Sequence, residues 1–465
     1  PEHSRLVSSP ALLPLSLDSF MLLAARNITF RKMDPDKGEW KPTVVPREIL
    51  AVVLHSPALW GEIPQISRVV NTPYLKADGT VATPGYDAQM AVAFLPDAVY
   101  LPVPDQPTLE DARQAVDRCL DLVCDFPFAG KEHQASWLSL VLSFFAHQAH
   151  AGKEPFFLIE ANTPGSGKGK LAELALHLAF GTPPAATSIQ WDADEELEKR
   201  IVGLLMAKRP VIYADNIDGT IGGELFDLLI TGTVYSGRVL GTNTMKQLPI
   251  DLTWVGTGNN ATIKGDASRR MLYCRLESPL EHPELRKDFK HLDLLGHAKS
   301  LRAQYVRDLL TILRAYVVAG MPPQSMEQWG SFEAWSGIVR GAVMWCGLPD
   351  PKRANDAMSV GSDLNKDAAQ EVITSLEQYL VATRQPCLKS KDLQALVLTP
   401  ALYPQAKELV NALQALCGDA KPTVRAITNR LMRLRNRVMN GKKLMSKKAE
   451  NSYTWEVADG GGSSA

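Results

Sequence analysis

Between residues 156 and 180 the sequence passes from an apolar run, Phe156-Phe-Leu-Ile-Glu160, through Ala161-Asn-Thr-Pro-Gly-Ser-Gly-Lys-Gly169, into a helical pattern that begins near Lys168. Strand, glycine-rich loop and helix in this order restrict the fold more than any other stretch of the chain. Glycines let backbone N–H groups turn toward phosphates, the helix N-terminus adds its positive dipole end, and a lysine at its start reaches the outer phosphates. Pro164, Gly165, Ser166, Gly167, Lys168, Gly169 and Lys170 are therefore the candidate nucleotide contacts. The loop departs from GxxxxGK[ST] at two places. Asn162 stands at the first glycine, and Gly169 stands where a hydroxyl would meet Mg²⁺.

The sequence downstream supplies the rest of such a site in a fixed order. From residue 155 onward, short apolar runs (156–160, 187–190, 211–215, 251–256, 271–276) alternate with helical segments (168–180, 194–207, 225–231). That alternation predicts a parallel sheet wrapped by helices, an α/β fold. Val211-Ile-Tyr-Ala-Asp215 ends in a carboxylate suited to hold Mg²⁺ at the carboxyl edge of the sheet. Trp254-Val-Gly-Thr-Gly-Asn-Asn260 ends in amides, of which Asn259 would orient a water against the outer phosphate. Ser268-Arg-Arg270 places Arg269 and Arg270 just before the next strand, where a neighbouring subunit's site could use their charge.

Composition narrows the partners. The chain has 465 residues, which by the usual domain size of roughly 150 residues predicts about three domains. Lys+Arg 50 nearly balances Asp+Glu 51, so a globally cationic coat is excluded and any nucleic-acid site must be local. The longest uncharged apolar stretch, around 137–146, is far short of the ~20 residues of a membrane span. A signal-like stretch at 11–25 is interrupted by Pro14 and Asp18. Six scattered cysteines without a CxxC pair point to a reducing compartment, hence a cytoplasmic protein, and away from zinc. The chain opens at Pro1 without methionine and ends in a Gly/Ser tail, the expectation being a piece of a longer protein.

The organisation read from the sequence is an N-terminal α+β region with a helical collar (1–130), an α/β core that carries the glycine loop (131–278), a mainly helical stretch (279–363), a basic C-terminal domain (364–457) and a tail (458–465). Hairpins are expected around the turn 34–38 and around Asp78-Gly79, and a loop over 350–363. Trp329, Phe332, Trp335 and Trp345 are expected in the core.

Gly165-Ser-Gly-Lys-Gly169, Asp194-Glu-Glu-Leu-Glu-Lys199, Tyr213-Ala-Asp-Asn216, Arg238-Val-Leu-Gly241, Gly256-Thr-Gly-Asn-Asn260 and the stretch 266–270 together resemble the AAA+ replicative helicases of the superfamily 3 type, as found in the primase-helicases of phages, plasmids and integrated elements. The resemblance is strong over about 155–280. It implies an AAA+ P-loop parallel sheet with a helical lid, ATP and Mg²⁺ as cofactors, a homo-oligomer that is a hexameric ring, and translocation on single-stranded and fork DNA; whether a primase domain or protein belongs upstream stays open at this point. One position departs from the pattern of many AAA+ proteins: where a glutamate general base follows the aspartate, this chain has Asn216. Glu195 and Glu196, just past the run 187–190, are the candidate replacements, against a plain reading as first-turn acids favoured by the helix dipole.

DNA contacts are expected in two places. Two extended flanks around Thr242-Asn243-Thr244 predict a hairpin, which the resemblance places in the ring's pore with Lys246 and Arg238 toward DNA. Residues 364–457 read as helix, helix, helix, hairpin, the shape of a winged helix. In 421–438, Val424, Ile427, Leu431, Leu434 and Val438 form one apolar stripe while Arg430, Arg433 and Arg437 occupy another face, followed by Lys442 and Lys443. The stretch 421–448 carries ten Lys/Arg and no acid, a pattern suited to phosphate contacts. The competing reading is an ATP-switched initiator or loader that binds DNA without unwinding it.

Overall fold

The structure, a computed structural model, describes residues 15–459 except 62, 162–164, 190, 192–193, 218, 239–244, 259–260, 279–282, 436–437, 440–441 and 450–451. The chain divides into two compact units, residues 1–354 and 355–465.

The first unit is built on a mixed α/β core. Its strands are β1 (Phe156–Ala161), β2 (Val211–Ile217), β5 (Thr253–Gly258) and β6 (Met271–Leu276), all parallel in the order β6-β1-β5-β2. Between β2 and β5 lies an antiparallel ribbon, β3 (Val234–Arg238) and β4 (Met245–Pro249). All six residues of β1 and of β5 are buried, as strands covered on both faces by helices must be. Thr187 pairs in parallel with Ala214, adding one rung outside β2. Because every strand runs the same way, the ends of β1, β2 and β5 share one edge, where open α/β sheets bind ligands.

Helix α1 (Lys168–Phe180) follows β1, α2 (Asp194–Met206) precedes β2, and α3 (Glu224–Thr231) leads to the ribbon. Toward the N-terminus come the strand pair Arg31–Asp34 and Glu39–Pro42 and a three-stranded sheet of Arg68–Val70, Gly85–Asp87 and Val92–Phe94. Next come the helices Leu109–Asp121 and Lys131–Ala146. Of the span expected as a lid, 279–363, residues up to 354 belong to this unit and 355–363 to the second. Helix Arg302–Val318 lies against Leu109–Asp121 and Lys131–Ala146. Its buried Arg302 bonds the Thr72 hydroxyl and the carbonyls of His177 and Leu178, and pairs with Asp97. Trp329, Phe332 and Trp335 are core residues, while Trp345 is half-buried.

The second unit has four helices, Asp356–Thr383, Ser390–Leu398, Lys407–Cys417 and Val424–Leu434, followed by the hairpin Lys442–Ala449 and Ser452–Asp459. The short strand Leu388–Lys389 pairs with the second hairpin strand. Two expectations are corrected. Most of the loop expected over 350–363 is helix from Asp356 onward, because Val372, Ile373 and Leu376 bury one stripe of a helix that outweighs the weak propensities of Gly361 and Asn365. The helix expected over 421–438 is Val424–Leu434: Thr423 caps its start by accepting from Ala426 N–H, and Val438 pairs instead with Lys443 in the sheet. Among the described residues no disulfide forms, and no helix is long and apolar enough to cross a membrane.

Candidate functional site

Gly165 and Gly167 have φ of +82° and +92°, backbone conformations that L side chains rarely adopt. The loop is also tightly covered. A Cβ on Gly167 would lie 2.9 Å from the Phe126 ring, and one on Gly165 would lie 2.8 Å from the Glu284 carboxylate. Gly167 occupies the N-cap of α1 and has no side chain with which to cap it, the arrangement in which helix N–H groups meet an anion. Ser166 is buried, Lys168 half-buried and Lys170 exposed. Pro164 lies outside the described residues.

The β2–β5 pair places the carboxylate. Ala214 pairs with Gly256 and Ile217 with Gly258, so Asp215 and Asn216 together oppose the single residue Thr257. This bulge turns two successive side chains out of the sheet, and Asn216 takes φ +51°, which asparagine tolerates better than most residues. Thr257, fully buried, holds both: its hydroxyl donates to Asp215 Oδ1 at 2.5 Å and accepts from Asn216 N–H at 2.9 Å. The Tyr213 hydroxyl donates to the same Oδ1 at 2.9 Å. Burial, and then the Asp215 carboxylate, push the Tyr213 phenol well above its usual value, so it stays a donor. No described residue bonds to Oδ2, which leaves that oxygen for a cation. Across the edge, a Cβ on Gly169 would lie 3.9 Å from Asp215 Oδ1, so the end of β2 and the start of α1 meet.

Glu160 occupies the end of β1 and is 5% exposed. Its Oε2 accepts from the Tyr273 hydroxyl at 2.6 Å and its Oε1 from Ala261 N–H at 2.5 Å. One buried carboxylate thus joins the strand before the glycine loop, strand β6, and the backbone at Ala261. Asn259 itself lies outside the described residues. Glu196 is exposed in the first turn of α2, while the side chain of Glu195 lies outside the described residues.

The two arginines differ. The Arg270 guanidinium is held within its own chain, 3.2 Å from the Asp227 carboxylate and 2.9 Å from the Asp227 carbonyl. Arg269 is 70% exposed and pairs with Asp266. Its carbonyl accepts from the Trp329 indole at 2.7 Å, which fixes the backbone but not the side chain.

The ribbon expected around 242–244 is present in its flanks; its tip, 239–244, lies outside the described residues. Arg238 pairs with Met245 and Gly237 with Lys246, so Arg238 and Lys246 are on opposite faces. Both are exposed. A Cβ on Gly237 would stand 2.5 Å from Val202 of α2, so ribbon and helix touch without an intervening side chain. In the second unit, Arg430 is exposed and Lys443 half-buried. Lys442 is held by two carboxylates of its own unit. It pairs with Glu377 at 2.7 Å and Asp459 at 2.8 Å, so its charge is already compensated. Arg437 and the Arg433 side chain lie outside the described residues.

Sequence reading passed over Thr257, Tyr213, Glu160, Phe126 and Glu284 as site residues. The one usable signal was Glu160, a carboxylate closing an apolar strand immediately before the glycine loop.

No family model and no curated protein matches the chain. Among solved structures it is similar to the apo C-terminal region of NrS-1, with 11% identity, 94% of this chain and 98% of that chain covered, and a TM-score of 0.38. It is similar also to the SCCmec type IV Cch active helicase, with 12% identity, 93% of each chain covered and a TM-score of 0.35. A third, JCV helicase, has 13% identity over 51% of this chain and 67% of that one, with a TM-score of 0.23. Scores below 0.5 at such identities establish neither shared activity nor shared assembly.

Proposed function

We propose that the chain is the motor portion of an ATP-dependent DNA helicase of AAA+ type, acting as a hexameric ring in replication of a mobile element. The observation that carries this reading is the meeting of the α1 start with the bulged end of β2, which brings Gly169 within 3.9 Å (from its Cβ position) of Asp215 Oδ1. Lys168 and the α1 N–H groups would bind the outer phosphates of ATP.

The residues present fit Mg²⁺ that travels with the nucleotide. Among the described residues no group of three or more His, Cys, Asp or Glu could hold a metal by itself, and Gly169 offers no hydroxyl. Asp215 Oδ2 would provide the protein ligand, with phosphate oxygens and water completing the shell. When bound, Mg²⁺ neutralises phosphate charge. Tyr213 and Thr257 orient the carboxylate, and Asn259 would align the attacking water. Asn216 cannot accept a proton at neutral pH, so Glu195 or Glu196 would supply the base. Arg269, exposed, would reach the neighbouring subunit's nucleotide, while Arg270 braces α3. Lys246 would meet the threaded strand, and the second unit, as a winged helix, would hold duplex or fork DNA through Arg430, Arg433, Arg437 and Lys443.

The test is a strand-displacement assay on tailed duplexes run beside an ATPase assay with and without single-stranded DNA. Wild type should do both, and Lys168→Ala neither. Hydrolysis and duplex binding without displacement would instead favour the initiator or loader.

A further inference from the structure

A cavity of about 470 Å³ opens at the edge of the sheet opposite the phosphate loop. Val211 and Thr253, the first residues of β2 and β5, form part of its floor, and Phe180, the last residue of α1, part of its wall. Its volume falls within the roughly 300–1,000 Å³ of small-molecule sites. The walls are largely apolar, with Val70, Phe144, Phe145 and Pro183 among them. No carboxylate lines it among the described residues, whereas Arg68, His147, Lys208 and Arg209 all do.

The four cations are not equivalent. Arg68 is 2.8 Å from Asp251, and His147 is 2.9 Å from Glu154 and 2.8 Å from Asp251, so their charges are compensated by carboxylates behind the wall. Lys208 and Arg209 are exposed, and neither has an ion-pair partner among the described residues. They stand in the turn between α2 and β2, where Lys208 takes φ +48°. Two uncompensated cations beside an apolar hollow attract a ligand that is negative at one end and apolar at the other.

We infer that this cavity is a second ligand site, separate from the phosphate loop, for a small organic anion with a flat apolar body. The apolar body would fill the hollow against Phe144 and Phe145 while the anionic group meets Lys208 and Arg209. The site does not depend on the proposed helicase function.

The experiment uses calorimetry with 2-naphthoate and its uncharged amide, 2-naphthamide, on the full chain, with and without a non-hydrolysable ATP analogue, which should leave naphthoate binding unchanged. One naphthoate should bind per chain, about tenfold tighter than the amide, since two exposed charge contacts together reach that size. Added salt should erase the difference. The double substitution Lys208→Glu/Arg209→Glu should remove the preference for the acid, and Ala185→Trp, at an exposed lining position, should block both compounds. Both variants should keep wild-type melting temperature and ATP-analogue affinity. No binding of either compound, equal binding of acid and amide, or undiminished naphthoate affinity in the double variant would overturn the inference.

Discussion

Replacing Thr257 by valine tests the logic of the bulge, because valine keeps the shape of threonine and removes only the hydroxyl. Two bonds disappear: the 2.5 Å donation to Asp215 and the 2.9 Å acceptance from Asn216 N–H. A hydrogen bond to a charged group contributes about 1.5–3 kcal/mol, and a backbone N–H left unpaired costs about 1–3 kcal/mol. Asn216 is exposed, so water offsets part of the second loss, and no cavity is created. A net cost of about 2 kcal/mol is expected, lowering the melting temperature of the 354-residue first unit by only about 3 °C.

The functional effect should be larger than the thermal one. Without Thr257 the carboxylate keeps only Tyr213 as donor and rotates, and misplacement by about 1 Å costs about 10²-fold in rate. In a steady-state ATPase assay, kcat should fall by about that factor and the Mg²⁺ requirement should rise. KM for ATP should stay near wild type, since the glycine loop is untouched. Thr257→Ser, which restores the hydroxyl, should recover most of the rate. A Thr257→Val protein with wild-type kcat and Mg²⁺ dependence would refute the assignment of Asp215 as the oriented cation ligand.

Other outcomes follow from the same geometry. Arg269→Ala should abolish hydrolysis without changing the melting temperature and be rescued partly by mixing with Lys168→Ala protein, whereas Arg270→Ala should lower the melting temperature through loss of Asp227. No rescue despite demonstrated co-assembly would count against a site shared between subunits. Lys246→Ala should leave basal ATPase intact while removing stimulation by single-stranded DNA; normal unwinding by this variant would reject the pore assignment. The pH response of the first unit should reflect the cluster of His147, Glu154, Asp251, Arg68, His150 and Lys153. Burial opposes the charge on His147, but Glu154 and Asp251 outweigh it and raise its value above 6.5. Burial likewise opposes ionisation of Glu154 and Asp251, and the facing cations outweigh it and lower both. The carboxylates then contribute stability above their unfolded values near 4, lost on acidification, and His147 contributes below about 6.5, lost as pH rises through its raised value. The contribution of His147 should therefore fall on the alkaline side while Lys153, His133 and His177, whose values burial lowers, pull the other way, so His147→Gln should make the melting temperature fall less with rising pH than in wild type; an unchanged slope would discount the cluster.

The glycine loop, the parallel sheet and the ribbon were legible because each rests on local chemistry. Glycines at positive φ, apolar runs of strand length and a lysine at a helix start carry their meaning within a few residues. The carboxylate at the end of Val211-Ile-Tyr-Ala-Asp215 was legible for the same reason. The sequence also announced that Asn216 could not be a base, and the structure adds why asparagine suits the place: the bulge demands φ +51°.

Tertiary structure alone decided the rest, since it depends on residues far apart in sequence. Thr257 meets Asp215 across 42 positions and Glu160 meets Tyr273 across 113, and no local pattern encodes either contact. The same holds for Arg269 and Arg270, adjacent in sequence but held differently, Arg270 by Asp227 across 43 positions and Arg269 by the nearby Asp266. It holds also for Lys442, whose charge reads as available until Glu377 and Asp459 fold against it. A sequence states which groups can bear charge or turn the backbone; packing sets which of those charges remain uncompensated, because compensation is a matter of distance in space.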